Sequence, residues 1–170
     1  MPGSCLFRDG ASHEDITQGA LGDCYFLSAL SVLGNKRTVD LFACQKDSDH
    51  MNPGDPNHWK KTGCFMLTFH KNGEFQYVIV DDWLPMTRDV NQAEVPCFTR
   101  GGEDGLEMWP AILEKAYAKL YGSYAAIEAG KVHMALADIV ENGFPEQLAL
   151  KTYKNNLKLL SARLRNLDKV

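Results

Sequence analysis

The stretch that decides the fold reads Gln18-Gly19-Ala20-Leu21-Gly22-Asp23-Cys24-Tyr25-Phe26-Leu27-Ser28-Ala29-Leu30-Ser31-Val32-Leu33. Two glycines and Asp23, a residue type favoured at helix N-caps, predict a turn that leads into a helix. The residues that follow are apolar nearly all round this helix, which is typical of a helix inside a protein core. The sequence therefore predicts a buried central helix with Cys24 in its first turn.

The start of this helix also predicts chemistry. Cys24 would lie where unpaired N–H groups and the positive end of the helix dipole favour a thiolate, the nucleophilic form of cysteine. Gln18 lies across the turn, and its side-chain amide could donate a hydrogen bond to a developing oxyanion. This is the arrangement of a papain-like cysteine protease. Because a lone cysteine in an apolar helix is more often inert packing, the prediction depends on the combination with Gln18 and the glycines.

Composition limits the classes of protein that need to be considered. The chain has 170 residues, 45% apolar and 24% charged, which predicts one globular domain or one lobe of a larger one. A net charge of −4 disfavours nucleic acid as a partner. Five cysteines without paired spacing argue against a disulfide framework. No secretion signal or membrane-spanning run is visible, so we predict a reducing, cytoplasmic location and no membrane association.

Alternating apolar residues predict the strands. Two such runs, Cys64–His70 and Glu74–Val80, are joined by Lys71-Asn72-Gly73. The Asn-Gly pair supplies the positive φ that a tight hairpin turn needs. A third strand is predicted around 93–99.

Helical periodicity predicts further helices. A continuous apolar face after Pro110, closed by Gly122, predicts a second core helix. Gly34-Asn35 is expected to end the first helix, and a short helix should follow over Arg37–Ala43. A last helix is predicted from Pro145 to about Leu167.

The irregular segment Gln45–Thr62 and its flanks contain residues that could bind zinc. Its four possible ligands would be Cys44, His50, His58 and Cys64, separated by five, seven and five residues. These spacings match no common zinc pattern. A surface loop with scattered histidines and flanking cysteines is therefore the preferred interpretation.

Three segments resemble the calpain family of cysteine proteases. Residues 18–25 match its Gln-Gly-x-x-Gly-Asp-Cys-Trp pattern, except that Tyr25 replaces the Trp. The second strand runs into Asp81-Asp82-Trp83-Leu84-Pro85, as a strand of calpains runs into Asp-Asp-x-x-Pro. The third segment is Leu113-Glu114-Lys115-Ala116-Tyr117-Ala118-Lys119, followed by Gly122-Ser123-Tyr124.

The resemblance extends from Phe7 to about Leu167 and implies an α+β fold. The fold would be the N-terminal lobe of a papain-like cysteine protease, with a buried central helix, further helices and a small antiparallel sheet. Residues 1–170 would form this single lobe. Its core would lie over about 7–145, and the helix over 145–167 would lead toward a second lobe.

The resemblance also implies roles for site residues. Cys24 would be the nucleophile, Gln18 the oxyanion donor and a polypeptide the substrate. In calpains the general base is a His in a Gly-His-Ala motif, and its partner an Asn before Pro or Trp-Gly, both in the second lobe. Neither motif occurs here, and none of the five histidines is predicted to replace that base. We therefore expect at most trace peptidase activity without the second lobe as a partner.

Calcium is the cofactor that the resemblance implies. In calpains the first lobe binds one Ca²⁺ through two carbonyls and two carboxylates, which correspond here to the carbonyls of Arg8 and Gly10 and the side chains of Asp15 and Glu107. Ca²⁺ takes several oxygen ligands from flexible loops, in agreement with this set. The alternative is a pair of solvated acidic loops. His13 stands where calpains often carry an Arg that pairs with the second lobe.

Two functions follow from these observations. The preferred one is the nucleophile-bearing lobe of a calcium-regulated, calpain-like cysteine endopeptidase. The alternative is a non-catalytic interaction or regulatory module with the same fold. The presence of both Gln18 and Cys24 favours the enzyme, because a module without catalysis has no chemical need for both.

Overall fold

The computed structural model describes residues 3–42, 63–140, 150–154 and 156–167. The fold is α+β, as predicted. The helices are α1 (Cys24–Ser31), α2 (Gly34–Asp40), α3 (Trp109–Tyr121), α4 (Val132–Ile139), α5 (Leu150–Tyr153) and α6 (Leu157–Leu167), with 3-10 turns at His13–Asp15 and Ala125–Ile127. The strands are β1 (Ile16–Thr17), β2 (Cys64–Lys71), β3 (Glu74–Asp81), β4 (Met86–Arg88), β5 (Glu94–Pro96) and β6 (Arg100–Gly101).

The strands form three separate antiparallel pairs, β1 with β6, β2 with β3 and β4 with β5. The predicted hairpin is confirmed as β2–β3, with Phe69 opposite Gln76 in its register. Asn72 and Gly73 have φ values of 55° and 84°, the positive φ that the Asn-Gly pair predicts. The third strand is shorter than predicted, because only Glu94–Pro96 pairs with β4.

The core lies between α1, α3 and the inner face of the β2–β3 hairpin. Phe26 of α1 stacks on Tyr117 of α3, with ring centroids 4.1 Å apart and planes at 8°. From the other side, Phe69 of β2 meets the Tyr117 ring at 5.8 Å. Helix α4 packs against both α1 and β2. The aromatic contacts therefore join the two helices and the hairpin into one cluster.

A buried carboxylate binds the hydroxyl groups of the same cluster. Asp138 of α4 accepts hydrogen bonds from the hydroxyls of Tyr117, at 2.9 Å, and Tyr121. Lys71 of β2 lies 3.5 Å from the Asp138 carboxylate. Burial raises the pKa of Tyr117, so its hydroxyl remains a donor. The network fixes α4 relative to α3 and the hairpin.

Helix α1 is not apolar all round, which corrects the sequence interpretation. Cys24, Ser28 and Ser31 are exposed and fall at i, i+4 and i+7, so they form one stripe along the helix. The rest of the helix is buried, including Phe26 and Ala29, both at 0% exposure. The small polar serines mark this stripe, and it is the stripe that leaves the Cys24 side chain accessible.

Two helix boundaries differ from the predictions. Gly34 does not terminate α1; α1 ends at Ser31 with Val32 as its C-cap, and Gly34 opens α2. The last helix is divided into α5 and α6, and the Asn156 side chain accepts the Leu159 N–H at 3.0 Å, an N-cap contact that begins α6. Residues 145–149 of the predicted helix lie outside the described residues.

No helix in the described ranges is long and apolar enough to cross a bilayer.

The core position of Phe26 predicts a large loss of stability on truncation. Phe26→Ala should lower the free energy of unfolding by about 3–5 kcal/mol, because the stacked ring and its volume are lost. Val32, 68% exposed at the end of the same helix, provides the control. Val32→Ala should change the free energy of unfolding by no more than about 0.5 kcal/mol in urea titrations. Equal losses in the two variants would contradict this placement.

Candidate active site

The turn that precedes α1 is held by a neighbouring segment of backbone. The Ala20 N–H donates to the Cys97 carbonyl at 3.1 Å. A Cβ at position 19 would lie 1.8 Å from the Phe98 carbonyl oxygen, so only glycine fits there. On the other side, the Ala129 N–H donates to the Gly22 carbonyl at 3.0 Å. These contacts fix the turn before Cys24 from two directions.

Gln18 begins this turn and closes it with its own side chain. The amide Nε2 donates to the Leu21 carbonyl at 2.8 Å. An amide nitrogen carries two donors, and the second has no acceptor in the part of the chain that the structure describes. The Gln18 side chain is exposed, so this donor is accessible from solvent.

Cys24 is the first residue of α1, and its side chain is exposed. The Asp23 carbonyl accepts the N–H groups of Phe26 at 2.8 Å and Leu27 at 3.3 Å. The N–H groups of Cys24 and Tyr25 have no acceptor within the helix, as in any first turn. The structure thus places the Gln18 amide at one end of the turn. At the other end it places an accessible thiol and the unpaired N–H groups of the first helical turn.

The Asp23 side chain does not cap α1, although Asp23 occupies the N-cap position. It is instead fully buried, at 0% exposure, and apart from its own backbone N–H no N–H group of the described residues bonds to the carboxylate. Glu114 of α3, at 1% exposure, is close enough to share a hydrogen bond with it. Two buried carboxyl groups therefore lie next to each other at the N-cap of α1.

Glu114 is also bound to the segment that supports the turn. Its Oε2 accepts the Thr99 N–H at 3.0 Å, and its Oε1 lies 2.6 Å from the Thr99 hydroxyl. Burial raises the pKa of Glu114 to about 8, against hydrogen bonds from Thr99 that lower it. Burial also raises the pKa of Asp23, while the contact with Glu114 lowers it.

The sequence analysis missed this pair. The signal was present in α3, where Glu114 lies between runs of residues that are all buried, Trp109–Leu113 and Ala116–Ala118. An acidic residue in such surroundings requires a partner or a proton. The periodicity of α3 predicts one continuous apolar face, and it assigns no role to Glu114.

Three of the four residues predicted to bind calcium lie near one another. The Arg8 N–H donates to Glu107 Oε1 at 3.0 Å, and the negative charge of Asp15 acts on the same Glu107 carboxylate. Glu107 is 3% exposed, and this burial raises the pKa of its carboxyl. The negative charge of Asp15 raises that pKa further. The segments that carry Asp15 and Glu107 are joined by the β1–β6 ladder. Next to this ladder, the Gly102 N–H donates to the Asp15 carbonyl at 2.9 Å.

Gly10, the fourth predicted ligand, is held in place by Asn35, for which the sequence predicted only a part in ending the first helix. It has φ of 100°, which favours glycine, and a Cβ there would lie 2.4 Å from the Asn35 side chain. The next N–H, of Ala11, donates to Asn35 Oδ1 at 2.8 Å. Asn35 of α2 thus fixes the loop that carries the Gly10 carbonyl.

No three His, Cys, Asp or Glu side chains in the described ranges are grouped so that they could hold a metal ion. The calcium set depends on two carbonyls in addition to its two carboxylates, so its donors are all oxygen. Of the zinc alternative, Cys44, His50 and His58 lie outside the described residues, and Cys64 is exposed on β2.

No histidine of the described chain is hydrogen-bonded to Cys24. His13 is exposed in the 3-10 turn, and the His70 ring packs edge-on against Phe75 at 5.6 Å. His133 lies on α4. The site therefore brings an exposed thiol and a side-chain amide to one turn, and the described residues supply no imidazole to them.

Comparison with known proteins finds calpain-type cysteine proteases. A family model described as calpain family cysteine protease matches residues 2–169. The chain is 36% identical over 161 residues to a calpain-type cysteine protease, DEK1, of Zea mays, covering 94% of this chain and 7% of that protein. It is 37% identical over 135 residues to calpain-5 of Mus musculus, covering 78% of this chain and 20% of that protein. Calpain-5 of Caenorhabditis elegans is 37% identical over 152 residues, 89% of this chain and 22% of that protein.

Cys24 should react with iodoacetamide faster than Cys64, although both side chains are exposed. The first-turn N–H groups of α1 stabilise the anion that reacts, an effect of about 0.3–1 kcal/mol or about two- to fivefold in rate. Mass mapping of briefly alkylated folded protein measures the ratio, and the ratio should approach unity in urea. Equal labelling of both thiols in the folded protein would contradict the prediction.

Proposed function

The chain belongs to the calpain family of cysteine proteases, and from this premise we propose that it is the nucleophile-bearing part of a calpain-type endopeptidase with a papain-like fold. The observation that carries the proposal is the position of Cys24. Its thiol is exposed at the first residue of a helix that is otherwise mostly buried, and the Gln18 amide lies on the turn before it.

The chemistry of this arrangement is acyl transfer to sulfur. The Cys24 thiolate attacks the carbonyl carbon of a peptide, and the negative charge moves to the carbonyl oxygen. The Gln18 amide and the first-turn N–H of Cys24 are donors suited to that oxygen. The C–N bond then breaks as the amine leaves with the proton that a general base first took from the thiol, and water hydrolyses the thioester.

A general base must come from elsewhere. The chain spans about 7% to 22% of the length of the curated relatives it matches, so most of such a protein lies outside this sequence. We propose that a second lobe supplies the histidine and its partner, and that a polypeptide binds between the lobes. The chain alone would then have at most trace peptidase activity.

A non-catalytic interaction or regulatory module is the second candidate. It is favoured by one observation, the absence of any described histidine bonded to Cys24. Against it, Gly19 and the Cys97–Phe98 segment hold a turn that exposes both Gln18 and Cys24, the two side chains that acyl transfer needs.

We also propose calcium regulation through Arg8, Gly10, Asp15 and Glu107. The donors fit a hard cation, because all four are oxygens and the two carboxylates repel each other in a partly buried place. A bound Ca²⁺ would offset that repulsion. Since β1 leads directly from Asp15 to Gln18, the ion would also restrain the turn that precedes Cys24. A reducing, cytoplasmic location is proposed as well, since the nucleophile must remain a free thiol.

Cleavage of a peptide substrate should require Cys24 once the second lobe is supplied. We expect the chain mixed with the second lobe of a calpain relative to cleave a fluorogenic peptide, and Cys24→Ser to reduce the rate by several orders of magnitude. The serine hydroxyl is far less acidic than a thiol and would stay protonated. Cys64→Ser, the matched change at another exposed thiol, should leave the rate unchanged. Strong cleavage by the chain alone, or by the Cys24→Ser variant, would place the nucleophile elsewhere.

Calcium should bind with modest affinity, in the range of about 10⁻⁶ to 10⁻³ M, because only four protein ligands are proposed. At a concentration 100 times Kd it should stabilise the fold by about 2.7 kcal/mol. The melting temperature should then rise by about 5–10 °C, and Mg²⁺ should raise it less.

Calorimetric titration of conservative variants identifies the ligands. Asp15→Asn and Glu107→Gln should each weaken Ca²⁺ binding, whereas Glu103→Gln, an exposed acid in the same loop as Glu107, should not. Equal uptake by all the variants, or none by the unmodified chain, would show that these loops are solvated surface.

A further inference from the structure

The Asp23 carboxylate lacks the donors that its burial requires. Both oxygens are enclosed, and apart from its own backbone N–H and the Glu114 carboxyl no group of the described residues is positioned to bond to them. A buried, unpaired carboxylate would cost several kcal/mol. The group that faces it is Glu114, another carboxyl, which can donate a hydrogen bond only if it carries a proton.

We propose that Asp23 and Glu114 share one proton, and that this buried acid pair is the positioning element that holds the start of α1, and with it the Cys24 thiol, in place. Glu114 then donates its proton to Asp23, and Asp23 remains ionised. The pair carries one negative charge, which lies at the positive end of the α1 dipole.

Glu114 connects the two backbone segments that border the nucleophile. Its carboxyl binds Thr99 through the backbone N–H and the hydroxyl. The residues just before Thr99 hold the turn, through the Cys97 carbonyl bonded to Ala20. The same carboxyl also contacts Asp23, the residue immediately before Cys24. One side chain thus fixes both the turn and the helix start.

Few other charged groups face the pair. From α1, Tyr25 lies close to Asp23, and from the segment after α3, Tyr124 lies close to Glu114. Burial raises the pKa of both phenols, so both are neutral. The charge of Asp81 of β3 acts on Tyr124, and Asp81 is paired with Lys115. Among the described residues no Lys, Arg or His bonds to either acid, so a proton is the available compensation.

The pair predicts how stability depends on pH. The pKa of Glu114 is about 8 in the folded protein, against an ordinary value of 4.5. The folded state therefore holds more protons than the unfolded state between these values, and the free energy of unfolding falls as pH rises through this interval. Above pH 8 both carboxyls ionise, and their repulsion loosens the contact between α1 and α3.

The importance of this pair for catalysis rests on the proposed function, but the position of the thiol does not. The experiments therefore follow Cys24 reactivity, carboxyl protonation and stability in the full chain, without peptidase activity. A failed reconstitution with a second lobe would leave these measurements unchanged.

Difference infrared spectroscopy tests the shared proton directly. Near neutral pH the unmodified chain should show the carbonyl stretch of a protonated carboxylic acid, and this band should be absent in Glu114→Gln and unchanged in Glu128→Gln. Glu128 is an exposed acid whose side chain lies 3.4 Å from the position of a Cβ on Gly22, so it is a control beside the same turn. A spectrum without such a band, or a band that persists in Glu114→Gln, would overturn the shared proton.

Alkylation and unfolding test the positioning role. Glu114→Gln keeps a neutral donor toward Asp23, so near neutral pH it should retain the rate advantage of Cys24 over Cys64, about two- to fivefold. Above pH 8 that advantage should disappear in the unmodified chain and persist in Glu114→Gln. Its denaturant midpoint should also fall less between pH 5 and 8 than that of the unmodified chain.

Glu114→Ala removes the donor and should lose the Cys24 advantage at every pH. If this variant does not fold, the comparison of Glu114→Gln with the unmodified chain remains decisive. Parallel pH profiles of the two proteins, in both alkylation ratio and denaturant midpoint, would overturn the positioning role. So would an unchanged Cys24 advantage in a folded Glu114→Ala variant.

Discussion

The contact between α1 and α3 is the constraint on which the candidate site depends. Phe26 stacks on Tyr117, and an acid precedes each ring by three residues, Asp23 at the N-cap of α1 and Glu114 within α3. Residues three apart share one face of a helix, so the contact that pairs the rings also brings the acids together. The hydrophobic gain of the stacked rings thereby places two carboxyls where neither can be solvated. The start of α1 is built on this pairing.

An enzyme nucleophile must satisfy two opposed requirements, a fixed backbone and an accessible side chain. The structure meets the first by burying most of α1 and by pressing Gly19 against the Phe98 carbonyl. It meets the second by the exposed stripe that begins with Cys24. The β1–β6 ladder adds a connection from the Gln18 turn to the buried Glu107, so an ion bound there would act on the same turn.

Local features of the sequence were sufficient for the α+β class, the β2–β3 hairpin, α3 and the position of Cys24 at a helix start. Each depends on neighbours in the chain, such as Asn72-Gly73, whose backbone preference is intrinsic. The errors arose where local signals are ambiguous. Gly34 can end one helix or open the next, and Ser28 and Ser31 are small enough to fit either a buried or an exposed face. Packing decided both cases.

The sequence by itself predicted which residues could act, Gln18, Cys24 and the oxygen donors around Asp15 and Glu107, and it determined that Cys24 begins a helix, because patterns along one segment predict local geometry. Only the tertiary structure decided which groups meet across the chain. Asp23 and Glu114 are far apart in sequence, and each alone suggests a helix cap or a solvated acid. Burial between packed helices removes water from both, and the loss of solvation makes them a pair. That energy depends on three-dimensional contacts, which no single segment of the sequence specifies.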